Sequence, residues 1–314
     1  MTILVGVDGG GTHTRALAVS ADGRRVGEGR AGPANHQVVG IEAAVRSVAL
    51  AVRAATGGRR PDACGLCLAG LDLPEHTALL QDALSGTVGG RLHLENDVAA
   101  ALWAAPGRAV GVVASGTGAA VALRLGGRVE RLLALSAVTG PVGGAGDIAT
   151  LALRSAILAA QGAAPPTRLT DAILAAFGLP DYLALARATE EQRLPAWQVA
   201  LVAAPLCARL AAEGDQTALW VLRRMGSELG RTAGRFFTAH GLPPGTPVAR
   251  YGALLQDGPR PYRDAFGRAL RRQYAAGPQP QGCLAAVAGA VLFAAEREAV
   301  PLDPLRRALS TARS

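Results

Sequence analysis

Residues 3–12 read Ile-Leu-Val-Gly-Val-Asp-Gly-Gly-Gly-Thr, an apolar run that ends in an aspartate and three glycines. The apolar run predicts a buried strand, and the glycines predict a hairpin that leads into a second strand over residues 14–19. Glycine lets an oxyanion approach the backbone and also accepts positive φ, so successive turn amides can form an anion-binding concavity. Thr12 can donate one further hydrogen bond, and Asp8 can anchor Mg²⁺ directly or through water. This stretch predicts one jaw of a phosphate clamp.

The same pattern occurs again further along the chain. A buried strand is predicted over residues 109–114, the next four residues, 115–118, read Ser-Gly-Thr-Gly, and further strands follow. We interpret the two occurrences as an internal duplication, with two unrelated hairpins as the alternative. The boundary falls at residues 105–108, which gives predicted domains over residues 1–107 and 108–314.

Asp97 lies between the two hairpins, after a predicted strand and at the start of a predicted helix. A helix N-cap would explain an aspartate at this position. With a phosphate hairpin on either side in sequence, we favour a catalytic role, in which Asp97 accepts the proton of a hydroxyl that attacks the γ-phosphate. Because the proton moves late in a loose transition state, the main contribution expected of Asp97 is to orient the nucleophile.

The composition excludes several classes of phosphate-handling protein. The chain has 314 residues and a formal charge of +8, and every basic residue apart from histidine is an arginine. The absence of lysine excludes the phosphate-loop NTPase motif, protein kinases and Schiff-base enzymes. We attribute the charge to compositional bias and interpret the arginines as scattered, so no nucleic-acid partner is expected.

Neither a membrane span nor a disulfide framework is expected. No apolar run approaches the roughly 20 residues of a membrane helix, and the N-terminus lacks a signal-like segment, which favours a soluble cytoplasmic protein. Cys64 and Cys67 have C-x2-C spacing without a second pair. Residues three apart on a strand point to opposite faces, so we interpret both as buried structural thiols, with a metal or redox site as the alternative.

These segments resemble the N-acetylglucosamine kinase-like branch of the actin, heat-shock-chaperone and sugar-kinase superfamily, which also contains the ATPase activators of acyl-CoA reductases and dehydratases. The resemblance covers nearly the whole chain and is carried by residues 6–12, 95–99 and 115–118. It is weaker at residues 251–254, where the family usually has paired glycines. The resemblance implies an α/β fold of two ribonuclease-H-like domains with a central cleft, commonly a homodimer, that binds Mg-ATP and a sugar.

The resemblance also implies a role for individual residues. Asp97 would be the catalytic residue and Asp8 the metal ligand. The expected ATP phosphate ligands are Gly10, Gly11, Thr12, Ser115, Gly116, Thr117 and Gly118, with Gly252 and Ala253 at the adenosine. The expected substrate ligands are Asn35, His36, Asn96, Asp97 and Asp147; a loop-turn role is the alternative for Asn35.

Residues 139–148 depart from the family pattern. Family kinases usually carry Trp-Gly-His and then Gly-Asp-Glu-Gly-Ser, whereas this chain reads Thr-Gly-Pro-Val-Gly-Gly-Ala-Gly-Asp-Ile. Asp147 either substitutes for the family aspartate or caps the helix that follows. The segment therefore leaves ATP binding better supported than amino-sugar specificity.

Three functions follow from the sequence. The leading expectation is an ATP-dependent kinase that phosphorylates a hydroxyl of N-acetylglucosamine or a related amino sugar. A second is an ATPase that drives electron transfer through an iron–sulfur cluster held between two subunits, for which Cys207 and Cys283 are the cysteines of the second domain. A third is a non-catalytic protein that senses a nucleotide or a sugar.

Overall fold

The computed structural model describes residues 2–107, 109–135, 139–191 and 193–311; Arg108, at the predicted domain boundary, lies outside them. The strands are β1 (Ile3–Gly9), β2 (Thr14–Ser20), β3 (Arg25–Ala31), β4 (Ala63–Leu68), β5 (Arg91–Asn96), β6 (Ala109–Ser115), β7 (Ala119–Leu125), β8 (Arg128–Arg131) and β9 (Val248–Tyr251). The helices are α1 (His36–Val39), α2 (Ile41–Thr56), α3 (Pro74–Ser85), α4 (Val98–Ala104), α5 (Ala145–Ala160), α6 (Leu169–Phe177), α7 (Tyr182–Glu190), α8 (Ala196–Ala212), α9 (Gln216–Ala239), α10 (Ala253–Gln256), α11 (Arg260–Gln273), α12 (Ala286–Arg297) and α13 (Leu302–Thr311).

Two sheets carry these strands, and their strand orders match. The first has the order β3-β2-β1-β4-β5, in which β1 to β3 are antiparallel and β1, β4 and β5 are parallel. The second has the order β8-β7-β6-β9. Each sheet thus has a three-strand meander with a later strand beside the first strand of the meander, as the duplication predicts.

The first sheet is covered on both faces. Alternate residues of β1, such as Val5 and Val7, enter an apolar core with residues of α2 and α3, among them Val48 and Leu80. The opposite face of β1 and β4 is covered by α12. Because successive strand residues point to opposite faces, the near-continuous apolar run of β1 satisfies both sides of the sheet.

Glycines let α12 approach this sheet closely. Gly6 and Gly65 are neighbours in the parallel register of β1 and β4. A Cβ at Gly6 would overlap backbone atoms of α12 around Val291, and one at Gly65 would overlap the Ala290 carbonyl. On α12 itself, a Cβ at Gly289 would overlap the Ala100 carbonyl of α4. The sheet, α12 and α4 therefore meet backbone to backbone.

The chain divides into two units, and its C-terminal segment belongs to the first. Unit 1 comprises residues 1–112, 122–129 and 279–314, and unit 2 comprises residues 113–121 and 130–278. These bounds differ from the predicted 1–107 and 108–314, because α12 packs on β1 and β4 and α13 packs on α12. Local sequence patterns identify α12 as an apolar helix but do not show which sheet it covers.

Unit 2 contains a second closely packed pair, α9 and α11. Three glycines of α9, spaced four residues apart, face α11: Gly226, Gly230 and Gly234. A Cβ at the first two would overlap the carbonyls of Tyr262 and Phe266. Since residues four apart share a helix face, the glycines form one smooth stripe along which the two backbones meet.

Within the residues that the structure describes, no single helix is long and apolar enough to cross a membrane. The bent pair formed by α6 and α7 passes the same test of length and composition when the two helices are taken together.

We expect Gly65→Ala to lower the free energy of unfolding by about 1–3 kcal/mol, because the added methyl group must displace the backbone of α12. Urea unfolding of the full chain checks this. Gly127→Ala is the matched control, since a Cβ there meets no atom within 4 Å and its φ is not positive. Equal stability of the two variants would contradict the close approach of α12 to β4.

Candidate functional site

The first hairpin, between β1 and β2, is built on backbone bonds. The Gly10 amide donates to the His13 carbonyl (3.0 Å), and the Gly10 carbonyl accepts from the amides of Ala34 (3.0 Å) and Asn35 (3.3 Å). Gly10 and Gly11 do not have positive φ, so a left-handed backbone conformation is not the reason for glycine at these two positions. A Cβ at Gly11 would meet no protein atom within 4 Å. The protein fold does not demand glycine there, whereas a backbone-bound oxyanion does.

Asp8, at the start of the first hairpin, is partly buried. Burial raises the pKa of Asp8, and the nearby charges of Arg15 and His13 lower it again. The Thr12 hydroxyl is exposed and lies 2.9 Å from Nδ1 of His13. A carboxylate with this burial gains from a bound cation, because the cation offsets the cost of removing its charge from water.

Carboxylates gather at the carboxyl edge of the parallel strands. Asp8 on β1, Cys67 on β4 and Glu95 on β5 occupy one row of the sheet register. Burial raises the pKa of the Cys67 thiol, and the charges of Asp8, Glu95 and Asp97 raise it further. The parallel register therefore brings Asp8 and Asp97 near the same buried thiol in unit 1.

Asn96, rather than Asp97, caps α4. Oδ1 of Asn96 accepts from the Val98 amide (3.2 Å), and its Nδ2 donates to Oδ1 of Asp72 (3.1 Å). The Asp97 side chain makes no capping hydrogen bond. Asp97 thus occupies the N-cap position, as the alternative predicted, but its carboxylate makes no capping hydrogen bond there.

Asp72 is a further candidate site residue, which the sequence analysis missed. It is 9% exposed and follows β4, the strand between β1 and β5. Its position, shortly after a buried parallel strand, was a usable signal, because the carboxyl ends of parallel strands meet at one edge of a sheet. The sequence motifs point only to residues at the ends of β1 and β5 as ligands at this edge.

Asn35 and His36 lie close to Asp72 and form the adjacent part of this edge. Oδ1 of Asn35 accepts a hydrogen bond from the Gln37 amide (3.0 Å). This oxygen therefore stabilises the local turn, which is the alternative role given for Asn35. Gly70, with φ +89°, lies against both residues, where a Cβ would overlap Oδ1 of Asn35. Burial lowers the pKa of His36, and the His76 ring 5.2 Å away lowers it further, whereas Asp72 raises it.

The second hairpin, between β6 and β7, shows a similar open glycine backbone. The Gly116 amide donates to the Gly118 carbonyl (2.9 Å), and neither glycine has positive φ. A Cβ at either would meet no protein atom within 4 Å, and Thr117 is exposed. Backbone amides and the Thr117 hydroxyl are thus available on the outside of this turn.

The Ser115 side chain points into the protein, and the predicted phosphate role of this residue stays a prediction for its backbone. It is fully buried, its hydroxyl donates to the Gly143 carbonyl (2.9 Å), and it lies 3.0 Å from the Tyr262 hydroxyl. The Tyr262 hydroxyl also donates to Gly143 (2.6 Å). The Ser115 hydroxyl therefore supports the hairpin from within the protein.

The altered segment 139–148 packs on this hairpin. A Cβ at Gly144 would overlap the backbone of Thr117 and Gly118. The amides of Ala145 and Gly146 donate to the carbonyls of Gly116 (2.9 Å) and Thr117 (3.1 Å). The segment fixes the hairpin geometry through backbone bonds, which explains its run of small residues.

Asp147 caps the start of α5. Its Oδ2 accepts from the amides of Gly143 (2.8 Å) and Gly144 (2.9 Å). Of the two roles left open by the sequence, capping is the one that the structure shows. These two bonds use Oδ2 alone, so the predicted substrate role of Asp147 stays a prediction for its other oxygen.

Gly252 has a structural requirement of its own. Its φ is +81°, and a Cβ would overlap the backbone of Ser115 in the adjacent strand β6. Ala253, which starts α10, is exposed. The glycine is therefore needed to bring β9 and its turn against the second hairpin, and this need is independent of adenosine.

The cysteines are thiols in apolar surroundings. Cys64, Cys67 and Cys207 are buried and Cys283 is partly exposed. Burial raises the pKa of Cys64 and of Cys207 to about 12. Among the described residues, no cluster of three or more histidine, cysteine, aspartate or glutamate side chains could hold a metal ion. These facts support structural thiols over a C-x2-C metal site.

Solved structures share this architecture. A protein from Chromobacterium violaceum, provisionally named an N-acetylglucosamine kinase, is 25% identical, with a TM-score of 0.71 over 93% of this chain and 99% of that one. One from Porphyromonas gingivalis with the same provisional name is 17% identical, with a TM-score of 0.69 over 95% of this chain and 100% of that one. The fold is therefore that of the actin-like ATPase class to which sugar kinases belong, and the predicted fold class is confirmed.

The chain belongs to the BadF/BadG/BcrA/BcrD ATPase family, whose model matches residues 5–294. Membership of this family implies the use of ATP. Glucosamine kinase GspK of Vibrio cholerae is 33% identical over 186 residues, which are 55% of this chain and 61% of that protein. The match thus spans less than two thirds of the relative.

We expect Asp147→Ala to lower the free energy of unfolding by about 1 kcal/mol, because the amides of Gly143 and Gly144 lose their acceptor. Thermal and urea unfolding check this, with the exposed Glu190→Ala as the control for loss of a helical carboxylate. Unchanged stability together with weakened sugar binding would instead make Asp147 a ligand residue.

We expect the native chain to take up about one equivalent of a thiol reagent at pH 8, at Cys283, and four after denaturation. The high pKa and burial of Cys64 and Cys207 leave little thiolate to react. Mass spectrometry of the alkylated protein assigns the sites. Fast labelling of Cys64 or Cys67 in the folded chain would contradict the structural interpretation of this pair.

Proposed function

We propose that the protein is a kinase that transfers the γ-phosphoryl group of ATP to a hydroxyl of N-acetylglucosamine or a related amino sugar. The observation that carries the proposal is the carboxyl edge of the first sheet. Asp8, Asp72, Asn96 and Asp97 lie at or just beyond the ends of three parallel strands there. The family membership and the names of the relatives agree with this chemistry.

Asp97 is the proposed catalytic residue. Because Asn96 caps α4, the Asp97 carboxylate is not used for helix capping. It would accept a hydrogen bond from the attacking hydroxyl, fix its direction and take its proton late in the transfer. Positioning of this kind needs a rigid support, which α4 receives from its backbone contact with Gly289 of α12.

The sugar would be held by polar groups of unit 1. We propose Asn35, His36, Asn96 and Asp97 as ligands, with Asp72 added from the structure. The bond of Asn96 to the buried Asp72 holds the Asn96 carboxamide in one orientation. Sites that hydrogen-bond a substrate hydroxyl or amide reject analogues that lack it, because buried polar groups are then left unpaired.

The nucleotide would be bound by backbone amides. The proposed phosphate ligands are Gly10, Gly11, Thr12, Gly116, Thr117 and Gly118, with Gly252 and Ala253 at the adenosine. The open glycine positions of both hairpins support these roles. Ser115 supports the second hairpin from within.

Asp8 is the proposed ligand for Mg²⁺. A single partly buried carboxylate suits this ion, which usually keeps several waters and is bound by one or two carboxylates together with phosphate oxygens. When bound, the ion would neutralise phosphate charge that this lysine-free chain cannot neutralise with an ammonium group. The homodimer and the cytoplasmic location stay predictions.

An ATPase without a sugar acceptor is the second candidate. The capping role of Asp147 favours it, since Oδ2 of this carboxylate is used by the backbone amides of Gly143 and Gly144. The iron–sulfur version is less favoured, because Cys207 is fully buried and bonded to the Ala218 carbonyl. Turnover of ATP in the absence of any sugar distinguishes this candidate from a kinase.

We expect sugar-stimulated ADP release from Mg-ATP, and we expect Asp97→Asn to lower kcat by about 10²–10⁴-fold. Coupled ADP assays over a panel of amino sugars and neutral hexoses measure both. Asp82→Asn, an exposed carboxylate on α3, is the matched control and should keep the wild-type rate.

Three results would separate the candidates. Phosphorylated sugar in the product mixture supports the kinase, and ADP release that no sugar stimulates supports the ATPase. ATP binding with a residual turnover that Asp97→Asn leaves unchanged would exclude the proposed mechanism and favour a sensor.

A further inference from the structure

The positive charge of the chain is concentrated on one helix pair. Helix α9 carries four arginines and one glutamate, and α11 carries five arginines and one aspartate. Nine arginines against two acids leave a formal +7 on this pair, out of +8 for the whole chain. The interpretation of the arginines as scattered is therefore wrong for this helix pair. A concentration of positive charge of this kind favours binding of a negatively charged partner.

Close packing makes the concentration of charge more costly. The glycine stripe of α9 brings the backbones of the two helices together, so arginines on both helices lie near one another. Glu228 pairs with Arg224 (2.7 Å) and Arg231 (2.5 Å), and Asp264 pairs with Arg260 (3.4 Å). Both acids of the pair are thus engaged, and most of the positive charge is left without an acidic partner on these helices.

A cavity lies where these arginines meet. It has a volume of about 160 Å³ and lies on two alanines of α11, lined by Ser227 and Arg231 of α9 and by Arg268, Arg272 and Gln273 of α11. Its described lining contains no carboxylate. Arg268 and Arg272 have no hydrogen-bond or ion-pair partner within the described part of the chain. The volume is far above the roughly 15 Å³ that one water needs.

We propose that this cavity binds the phosphate group of a small phosphate monoester. Guanidinium groups match the planar, two-oxygen recognition of phosphate, and the hydroxyl of Ser227 and the amide of Gln273 add neutral donors. The lining residues converge on a concavity rather than along a stripe, which favours a compact anion over a polymer. The site is separate from both glycine hairpins, since none of their residues lines it.

The test is a ligand-dependent thermal shift of the full chain. Inorganic phosphate and glycerol 3-phosphate are titrated against sodium chloride at matched ionic strength. Wild type should show a saturable rise in Tm with either phosphate and none with chloride. Arg268→Gln/Arg272→Gln should raise the apparent Kd for glycerol 3-phosphate by about tenfold or more, because two charge-assisted hydrogen-bond donors are lost.

The matched control is Arg154→Gln/Arg187→Gln, which removes the same charge from exposed positions on α5 and α7 and should bind as wild type does. An ATP-induced shift of wild-type size in both double variants verifies that they are folded and that loss of phosphate binding does not arise at the nucleotide hairpins.

Three outcomes would overturn the proposal. The first is a phosphate response no larger than that to chloride, and the second is an Arg268→Gln/Arg272→Gln variant that binds like wild type. The third is tighter binding of a single-stranded oligonucleotide, with a steep salt dependence, than of the monoester, which would make this face a polyanion surface instead.

Discussion

The backbone contact of α12 with the first sheet is the constraint on which the unit 1 site depends. Gly6 and Gly65 are neighbours on the same face, and neither position tolerates a Cβ without moving α12. Helix α12 in turn meets α4 through Gly289. Since Asp97 stands at the start of α4, its position relative to Asp8 on β1 depends on three glycines that pack against protein backbone.

The second hairpin is fixed in a comparable way. Gly144 lies against the backbone of Thr117 and Gly118, and the segment 143–147 then starts α5 with Asp147 as its cap. The buried bonds among Ser115, Gly143 and Tyr262 tie this segment to the hairpin and to α11. The residues that depart from the family motif thus support the turn, through the backbone of Gly144 and the cap that Asp147 provides.

Local patterns predicted the elements that position the site, and long-range packing decided the rest. The two meanders, the glycine turns and the place of Asp97 between a strand and a helix follow from hydrophobic spacing and turn residues. The return of α12 to unit 1 does not, because an apolar helix can cover any sheet. Likewise, the position of Asp147 in the sequence fits both a helix cap and a sugar ligand. The capping role became visible only from the hydrogen bonds that its Oδ2 accepts from the Gly143 and Gly144 amides. The place of Asp72 at this edge could be recognised only from the parallel register, which puts the end of β4 between the ends of β1 and β5.

The absence of lysine bears on both the glycine hairpins and the arginines of α9 and α11. At the two hairpins proposed to bind phosphate, this chain has Gly11 and Gly118, where no side chain would stand in the way. Arginine is the only permanent cation available, and its charge is collected on α9 and α11. A surface that merely needed solubility would separate like charges, since repulsion between them opposes folding. Nine arginines on two helices in backbone contact repel one another, the two acids of the pair offset only part of that repulsion, and a bound anion would offset more of it.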